Sequence, residues 1–270
     1  ASLIMFIGFI ALIFGLGDSI QSFDLIEISA ALQGGKLGGL GLLDPHNLKS
    51  IVFLAMFVGF GVKVPIVPFH TWLPDAHVEA PTPASVILAG VLLKMGTYAL
   101  LRFNFTLLVD IAQKWASIIA LVAVISVIYG AFLALAQTDL KRIVAYSSIS
   151  SMGYVLLGLT AYTVYGLGGA TFQMISHGLL SGLLFMSVGL IYNATHTRSI
   201  NDLSGLADKM PITSLIFIAG AFGYMGLPLM SGFAAELFIF LGAFEASFPF
   251  AKLFTAVSMF GIVIVAGYLL

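Results

Sequence analysis

Cysteine is absent from the 270 residues, and charged residues make up only 9% of them. The first absence excludes disulfide bonds, cysteine-ligated iron–sulfur clusters and thiol catalysis. The second excludes an ordinary soluble domain, in which about 25% of the residues are charged. The formal net charge is −1 and no basic tract occurs, so we expect no nucleic acid partner.

Long apolar runs are what the sequence has in abundance, since 60% of its residues are hydrophobic. A helix needs about 20 such residues to cross a bilayer, whereas the strands of a membrane barrel alternate over about ten. These runs are continuous, so we predict an all-α, polytopic membrane helix bundle. The apolar runs are 1–17, 50–69, 84–105, 115–136, 143–165, 167–193, 211–242 and 252–270. Because the first and last runs are truncated, we expect a fragment of about eight transmembrane helices from a longer protein.

Proline and glycine interrupt two of these runs. Pro65 and Pro68 fall in the second run and Pro228 in the seventh, each beside glycines. Proline removes an intrahelical hydrogen bond and clashes with the preceding turn, so we predict two broken helices. The breaks are five spans apart, so these helices must cross the membrane in opposite directions. Such a pair is typical of inverted repeats with a transport site at their interface.

A polar and glycine-rich segment, 18–49, separates the first two runs. Its glycines lack the G-x-x-x-x-G-K-[ST] spacing of a phosphate loop. We therefore interpret the glycine-rich stretch within this segment, 34–45, as a flexible surface connection.

Two lysines lie inside apolar runs. Lys63 is in the second run and Lys94 in the third, on neighbouring antiparallel helices and at similar depth. A charge at the middle of a bilayer costs about 2.5–3.5 kcal/mol on insertion scales, so such residues indicate an ion or proton path. The alternative is that each side chain extends its ammonium group to the lipid headgroups, which the deeper position of Lys94 disfavours.

Two further ionisable residues lie in later runs. His177 is near the middle of the sixth run, with Gln173, Ser176 and Ser181 close to the same helical face. Imidazole changes its protonation near neutral pH and suits a proton relay, although a buried histidine is often only a hydrogen-bonded core residue. Glu236 follows the second break and is a candidate proton site that water reaches through that break.

The turn between the two lysine helices, 70–83, is rich in polar residues: His70, Asp75, His77 and Glu79. These residue types bind metals, but the prolines of the turn splay the side chains apart. We therefore predict no metal site and interpret the turn as the entrance of a proton path.

The remaining polar segments are less informative. Lys141 and Arg142 are typical of an interfacial anchor, and residues 195–211 of a solvated connection between spans. Basic residues are divided almost evenly between the two sides of the membrane, so they do not predict the orientation.

Four motifs cover nearly the whole sequence: KVPIVPFHTWLPDAHVEAPTPASVILAGVLLKMGTYALLR (63–102), TDLKRIVAYSSISSMGYVLLG (138–158), QMISHGL (173–179) and GLPLMSGFAAELFIFLGAF (226–244). Together they resemble the antiporter-like subunits of the complex I superfamily. The first motif is most similar to chain M of bacterial complex I, the mitochondrial chain 4 type. Archaeal subunits of dehydrogenases for reduced coenzyme F420 share the pattern.

The resemblance implies a proton-antiporter-like transmembrane domain over 1–270, with the end of one inverted repeat at about 1–105 and most of a second at about 115–270. It also implies that the turn 70–83 faces the cytoplasm or the mitochondrial matrix.

For the site, the resemblance implies a proton relay formed by Lys63, Lys94, His177 and Glu236. The sequence departs from the family pattern in two places. The family pairs its first lysine with a glutamate on an upstream helix, which this sequence does not include. Ser151 stands where many relatives carry a histidine, and a hydroxyl binds water but does not hold an extra proton.

The function that the resemblance implies is proton translocation by a membrane subunit of a complex I-like respiratory oxidoreductase, of the NADH or F420H2:quinone type. Electron transfer would take place in partner subunits that hold flavin, iron–sulfur clusters and quinone, and we expect neither a cofactor nor a redox centre in this chain. The expected partners are other membrane subunits, the lipid bilayer and protons. We expect a prokaryotic cell membrane rather than the mitochondrial inner membrane.

The same residues leave two alternatives. One is a subunit of a multi-subunit Na⁺/H⁺ antiporter or of a membrane-bound hydrogenase, and the residues do not by themselves select H⁺ over Na⁺. The other is a structural membrane subunit that conducts nothing, which would have to carry three ionisable residues at depth without using them.

Overall fold

The structure is a computed structural model that describes residues 2–17, 23–38 and 44–269, and its regular elements in these ranges are helices. The helices are α1 (Ser2–Leu16), α2 (Leu25–Gln33), α3 (Pro45–Lys63), α4 (Trp72–Glu79), α5 (Thr82–Phe105), α6 (Val109–Lys114), α7 (Ala116–Leu135), α8 (Leu140–Thr160), α9 (Val164–Thr195), α10 (Leu206–Lys209), α11 (Pro211–Tyr224), α12 (Ser231–Glu245) and α13 (Ala251–Leu269).

Six of these helices are long and apolar enough to cross a membrane: α3, α5, α7, α8, α9 and α13. The shorter α1 and the interrupted pair α11–α12 correspond to the two remaining apolar runs. The predicted fold class, a polytopic helix bundle with two broken helices, is confirmed. The boundaries of two inverted repeats stay a prediction.

The polar segment 18–49 contains a helix, α2, that the sequence did not predict, while the interpretation of 34–45 as a flexible connection stays a prediction. Asp24 caps this helix by accepting a hydrogen bond from the backbone N–H of Ile26 at 2.9 Å. Ile28, Ala31 and Leu32 are buried in the main core, and this apolar face fixes the helix in place. Residues 18–22 and 39–43 of the same segment lie outside the described residues.

Helix ends define two faces of the bundle. On the first, which we call the loop face, Lys141 donates from Nζ to the carbonyl of Ala80 at 2.7 Å. Arg198, just after α9, lies on this face too, 3.3 Å from Asp139. On the opposite face, Lys49 near the start of α3 forms an ion pair with α6. The broken pair α3–α4 therefore leads toward the loop face and α11–α12 leads away from it.

The first break joins α3 to α4 and keeps its polar backbone groups inside the protein. The backbone N–H of Val67 donates to Oγ of Ser126 on α7 at 3.1 Å, and the indole of Trp72 donates to the carbonyl of Val62 at 2.9 Å. A broken helix at membrane depth requires such internal partners.

The centre of the bundle is α8, whose apolar window is 94% buried. Asp139 starts this helix by accepting hydrogen bonds from the backbone N–H groups of Lys141 and Arg142. Around it pack α7, α9, α12 and part of α4. The ionisable side chains of α5, α9 and α12 therefore lie between helices and not in a separate domain.

Candidate functional site

Lys94 and His177 form a direct contact in the interior of the bundle. The Nζ of Lys94, on α5, lies 2.5 Å from Nδ1 of His177 on α9 and donates to the carbonyl of Ala89 at 2.5 Å. His177 is only 2% exposed. The lysine therefore turns inward to protein partners, and the alternative in which its ammonium group extends to the headgroups does not describe this structure.

A local change in helix geometry accompanies the contact. Residues Leu88–Leu92 of α5 are π-helical, so the N–H of Leu93 bonds to the carbonyl of Leu88. Single π-helical turns inside α-helices are frequently found at functional sites. Here the π-helical turn contains Ala89, whose carbonyl accepts the lysine ammonium.

Two glycines bring α5 and α9 close enough for this pair. A Cβ placed on Gly178, next to His177, would lie 2.8 Å from the carbonyl oxygen of Gly90 and 3.6 Å from Cε of Lys94. The first distance is too short for a carbon next to a backbone oxygen. Only glycine at this position allows the observed spacing between the helices.

Lys63 is the last residue of α3 and lies at the first break, half-buried. Its Cβ and Cγ would lie 3.2 Å from a Cβ placed on Gly96 of α5, two residues beyond Lys94. The structure thus brings α3 and α5, the helices that carry Lys63 and Lys94, into contact. Their positions on either side of the 70–83 turn predict this contact.

Glu236 lies on α12 just after the second break and is 6% exposed. Its Oε2 lies over Gly226, where an added Cβ would be only 2.6 Å away. Gly226 has a φ of +73°, a left-handed conformation that glycine adopts without strain. The turn that contains Pro228 therefore leaves room for the carboxylate beside the broken backbone.

The second break is also joined to the histidine helix. The hydroxyls of Ser176 on α9 and Ser231, the first residue of α12, are hydrogen-bonded at 2.8 Å. Ser176 directly precedes His177 in the chain. A polar contact therefore connects the region of His177 with the helix that carries Glu236.

The polar residues of the 70–83 turn do not form one cluster. Asp75 and Glu79 are exposed, and Asp75 pairs with Arg142 at 3.2 Å. His70 is buried with its ring edge against Tyr129. Across the described residues, no group of three His, Asp or Glu side chains is arranged to hold a metal ion.

Three basic residues hold the turn to the rest of the loop face. Besides the Lys141–Ala80 and Arg142–Asp75 contacts, Arg198 donates to the carbonyl of Val78 at 3.3 Å. Lys141 and Arg142 therefore bind α4 and the residue after it, and their interpretation as an interfacial anchor stays a prediction.

His77 is completely buried and stacks on Phe185 of α9, with ring centroids 4.4 Å apart. Burial, with a smaller contribution from the positive charges of Lys141 and Lys94, lowers its pKa from 6.5 to about 4. In the folded protein the imidazole is therefore neutral at physiological pH.

This histidine should make stability depend on pH. Between pH 6.5 and about 4 the unfolded chain binds a proton at this site and the folded chain does not, so stability falls as the pH is lowered through that window. In detergent, His77→Phe should flatten the decline of the unfolding temperature with falling pH, whereas His46→Phe, at an exposed position, should not. An unchanged slope in His77→Phe would contradict this assignment.

Comparison with known proteins places the chain among membrane subunits. Residues 1–262 match the family described as "NADH:quinone oxidoreductase/Mrp antiporter, TM". The chain belongs to this family. The family membership predicted from the four motifs is thereby confirmed.

Among relatives in the NADH:quinone oxidoreductase/Mrp antiporter family, the chain is 45% identical over 273 residues to "NAD(P)H-quinone oxidoreductase chain 4 1" of Synechococcus elongatus. It is 42% identical over 253 residues to "NADH-quinone oxidoreductase subunit M" of Rickettsia bellii. The matches cover 100% and 94% of this chain but 49% of each relative. The chain therefore spans about half the length of these relatives.

A solved structure shows the same fold. The structure "Respiratory complex I from Thermus thermophilus with bound NADH" contains a chain that matches with a TM-score of 0.85 and 28% identity. The match covers 99% of this chain and 55% of the other. The overall fold of this chain is thus shared with a chain of a respiratory complex.

Sequence reasoning missed one residue of the site in this NADH:quinone oxidoreductase/Mrp antiporter family member. Tyr224, the last residue of α11, is buried, and its ring lies 5.3 Å from that of His177 at 59°. The available signal was its place in GYMGLP, directly before the second break.

Proposed function

We propose that this chain is the proton-conducting part of a membrane subunit in a complex I-like respiratory oxidoreductase, of the NADH or F420H2:quinone type. The observation that carries the proposal is the part-buried Lys94–His177 contact between two helices long and apolar enough to cross a membrane. A hydrogen bond between two titratable groups inside a bilayer is costly to maintain and gives a proton a direct step.

The proposed route runs from Lys63 to Lys94, His177 and Glu236. Lys63 lies at the first break, where a helix ends inside the bundle, and Lys94 lies on the adjoining helix. Lys94 passes a proton from Nζ to Nδ1 of His177, because this hydrogen bond already joins the two atoms. Glu236 is the acceptor at the second break, on the helix whose start is bonded to Ser176.

The loop face is the proposed entrance. Asp75 and Glu79 present carboxylates at the surface, and His70 and His77 lie buried behind them. Because His77 stays neutral, it does not repel a cation moving toward Lys94. This role also fits a turn that basic residues clamp in one position.

Electron transfer is assigned to partner subunits that hold flavin, iron–sulfur clusters and quinone, with neither a cofactor nor a redox centre in this chain. Its proposed surroundings are other membrane subunits and the lipid of a prokaryotic cell membrane. Bacterial and cyanobacterial relatives support this location.

A second candidate is a subunit of a multi-subunit Na⁺/H⁺ antiporter or a membrane-bound hydrogenase. The family description names both NADH:quinone oxidoreductase and Mrp antiporter, and it therefore supports this second candidate as well. The candidates differ in what accompanies the complete protein on purification: a quinone-reducing arm supports the first, and its absence with Na⁺-driven proton movement supports the second.

The test replaces Glu236 by glutamine in the complete protein, purified with its partner subunits in vesicles. Glutamine keeps the shape of the side chain but neither binds nor releases a proton. We expect donor-driven acidification of the vesicle lumen to fall at least about tenfold, because proton-transfer groups contribute about 10²–10⁴-fold to rates.

The matched control is Glu245→Gln, at the exposed end of the same helix, which should pump normally. Assembly of the complex and donor oxidation in detergent should remain in both variants. Full pumping by Glu236→Gln would remove this residue from the route.

A further inference from the structure

A long apolar groove runs along the outside of the bundle between α5 and α9. Its volume is about 690 Å³, which falls within the range of about 300–1,000 Å³ for ligand-binding clefts. The wall on α5 is formed by side chains that are more than half exposed: Ile87, Val91, Met95 and Tyr98. Ile175 and Leu179 of α9, which are also more than half exposed, form the opposite wall. Apolar surface on two antiparallel helices is therefore open over several turns.

Glycines give the groove its depth. Gly90 of α5 and Gly178 and Gly182 of α9 line it and place no side chain between the two walls. A Cβ added to Gly182 would meet only Cγ1 of Val86, at an ordinary contact distance of 3.7 Å. The space above this glycine is thus open, and the groove is a slot between helices instead of a flat face.

The two polar side chains within the slot have their partners elsewhere. Nζ of Lys94 is directed to the carbonyl of Ala89 and to His177, so this lysine presents its hydrocarbon stem to the groove. The hydroxyl of Thr171 donates to the carbonyl of Leu167 at 2.9 Å. A polar ligand would find no partner between the walls, whereas a hydrocarbon chain would lose none of its favourable contacts.

The length of the groove matches one acyl chain. Along α5 it extends over twelve residues, from Tyr98 to Val86, or about 18 Å at 1.5 Å per residue. One leaflet occupies about half of the hydrocarbon core, or about 15 Å. A single chain that enters at the Tyr98 end would therefore fill most of the slot.

A charged residue lies just beyond the Tyr98 end. Arg102 is four residues further along α5, exposed and about 30 Å from Thr82 at the loop-face end of this helix. This separation equals the thickness of the hydrocarbon core, so Arg102 is at the headgroup level of the opposite face. Tyr98 also suits this boundary, because tyrosine is enriched at membrane interfaces.

Arg102 lines a second cavity, of about 360 Å³, between the end of α5 and α2. Ser29, Gln33 and Thr106 supply the other polar side chains of its lining. Among the described residues, no carboxylate forms an ion pair with Arg102, and none lines this cavity. The cavity therefore has an uncompensated positive charge, which favours an anionic group and offers no partner to the ammonium group of a zwitterionic lipid.

We propose that this surface binds one anionic phospholipid, with its phosphate on Arg102 and an acyl chain in the groove between α5 and α9. A guanidinium binds phosphate oxygens through two parallel hydrogen bonds, and the hydroxyls and amide of the second cavity complete the headgroup site. The bound chain covers the outer side of the α5–α9 interface beside Lys94. The site is independent of the proposed proton route.

The first arm of the test is a density map of the complete protein in its complex, extracted with its native lipids in polymer-bounded discs. An elongated density should lie along the groove beside Gly182, with phosphate oxygens about 2.7–3.2 Å from the guanidinium of Arg102. An empty groove overturns the site, and so does a groove filled by another helix of the complete protein or of a partner subunit. Because the map uses the unmodified protein, it decides the site even where a variant does not assemble.

The second arm counts the phospholipids that the complex retains in native mass spectrometry. Gly182→Leu fills the slot at a position where a Cβ has room, so this variant should retain one phospholipid fewer than the unmodified complex. Gly168→Leu is the matched control on α9, because a Cβ there meets no atom within 4 Å and the residue is outside the groove. Equal counts in the two variants overturn the proposal.

The third arm tests the headgroup in discs that contain equal amounts of phosphatidylglycerol and phosphatidylcholine. In the position that Gly182→Leu empties, Arg102→Gln should lower the ratio of phosphatidylglycerol to phosphatidylcholine about fivefold, the effect of one basic residue facing anionic lipid. Lys252→Gln removes an exposed basic residue at the start of α13 and should leave the ratio unchanged. An unchanged ratio in Arg102→Gln overturns the assignment of an anionic headgroup.

The outcomes separate this inference from the proposed function. Glu236→Gln, which should stop pumping, should retain the same number of phospholipids as the unmodified complex. If the complex moves no protons at all, the proposed function fails, while the density map and the lipid counts still decide whether the groove binds a phospholipid.

Discussion

Lys94→Met should abolish proton translocation in the complete protein while the complex still assembles. Methionine matches the length and apolar character of the lysine stem, so the packing between α5 and α9 should be kept. What is lost is the donor to Ala89 and His177. We expect donor-driven acidification of vesicles to fall at least about tenfold, as for other groups that transfer protons.

Two further variants sharpen this prediction. Lys94→Arg keeps a positive charge but does not release a proton at physiological pH, so it should fail as Lys94→Met does. Lys36→Met, at an exposed position, should pump normally. Pumping by Lys94→Arg would mean that charge alone, and not proton transfer, is required at this position.

Gly178→Ala should also reduce pumping strongly, although it adds only one methyl group outside the relay itself. The new Cβ would be 2.8 Å from the backbone oxygen of Gly90, so α9 must move away from α5. This movement lengthens the Lys94–His177 contact, and a misplacement of about 1 Å can cost about 100-fold in rate. The measurement is again vesicle acidification, with the amount of assembled complex as reference.

Gly168→Ala is the matched control on the same helix. A Cβ at Gly168 meets no atom within 4 Å, and both substitutions favour the helix by up to about 1 kcal/mol over glycine. Their difference therefore reports on the close approach of the helices alone. Equal pumping by the two variants would show that this spacing is not needed.

The spans and their breaks could be predicted from sequence because their causes are local. An apolar run of sufficient length forms a membrane helix whatever its neighbours are, and prolines such as Pro65 and Pro228 interrupt it at their own positions. The candidate residues Lys63, Lys94 and Glu236 were evident for a similar reason, since a charge in an apolar run is costly wherever the chain leads.

The contacts of the site could not be predicted in the same way because they join distant parts of the chain. His177 lies 83 residues from Lys94, and only the packing of α9 on α5 brings them together. The π-helical turn at Leu88–Leu92 has no marker in composition. Tyr224 reads as an ordinary aromatic residue until its ring is found 5.3 Å from that of His177.

The loop face shows a second reason why the environment of a residue could not be predicted from the sequence. His77 and Glu79 are two residues apart, yet one is completely buried and the other is exposed. Their separation follows from α4, a short helix that points them to different sides. The stretch 25–33 was likewise not predicted as a helix because its apolar face is short, and only burial in the core reveals it.

The most direct measurement is the proton translocation of Lys94→Met, His177→Phe and the variant that carries both changes. If the two side chains act as consecutive steps of one relay, each single change already stops the flow, and the combined variant is no worse than either. Losses that multiply in the combined variant, or substantial pumping in any of the three, would contradict a single route through this pair.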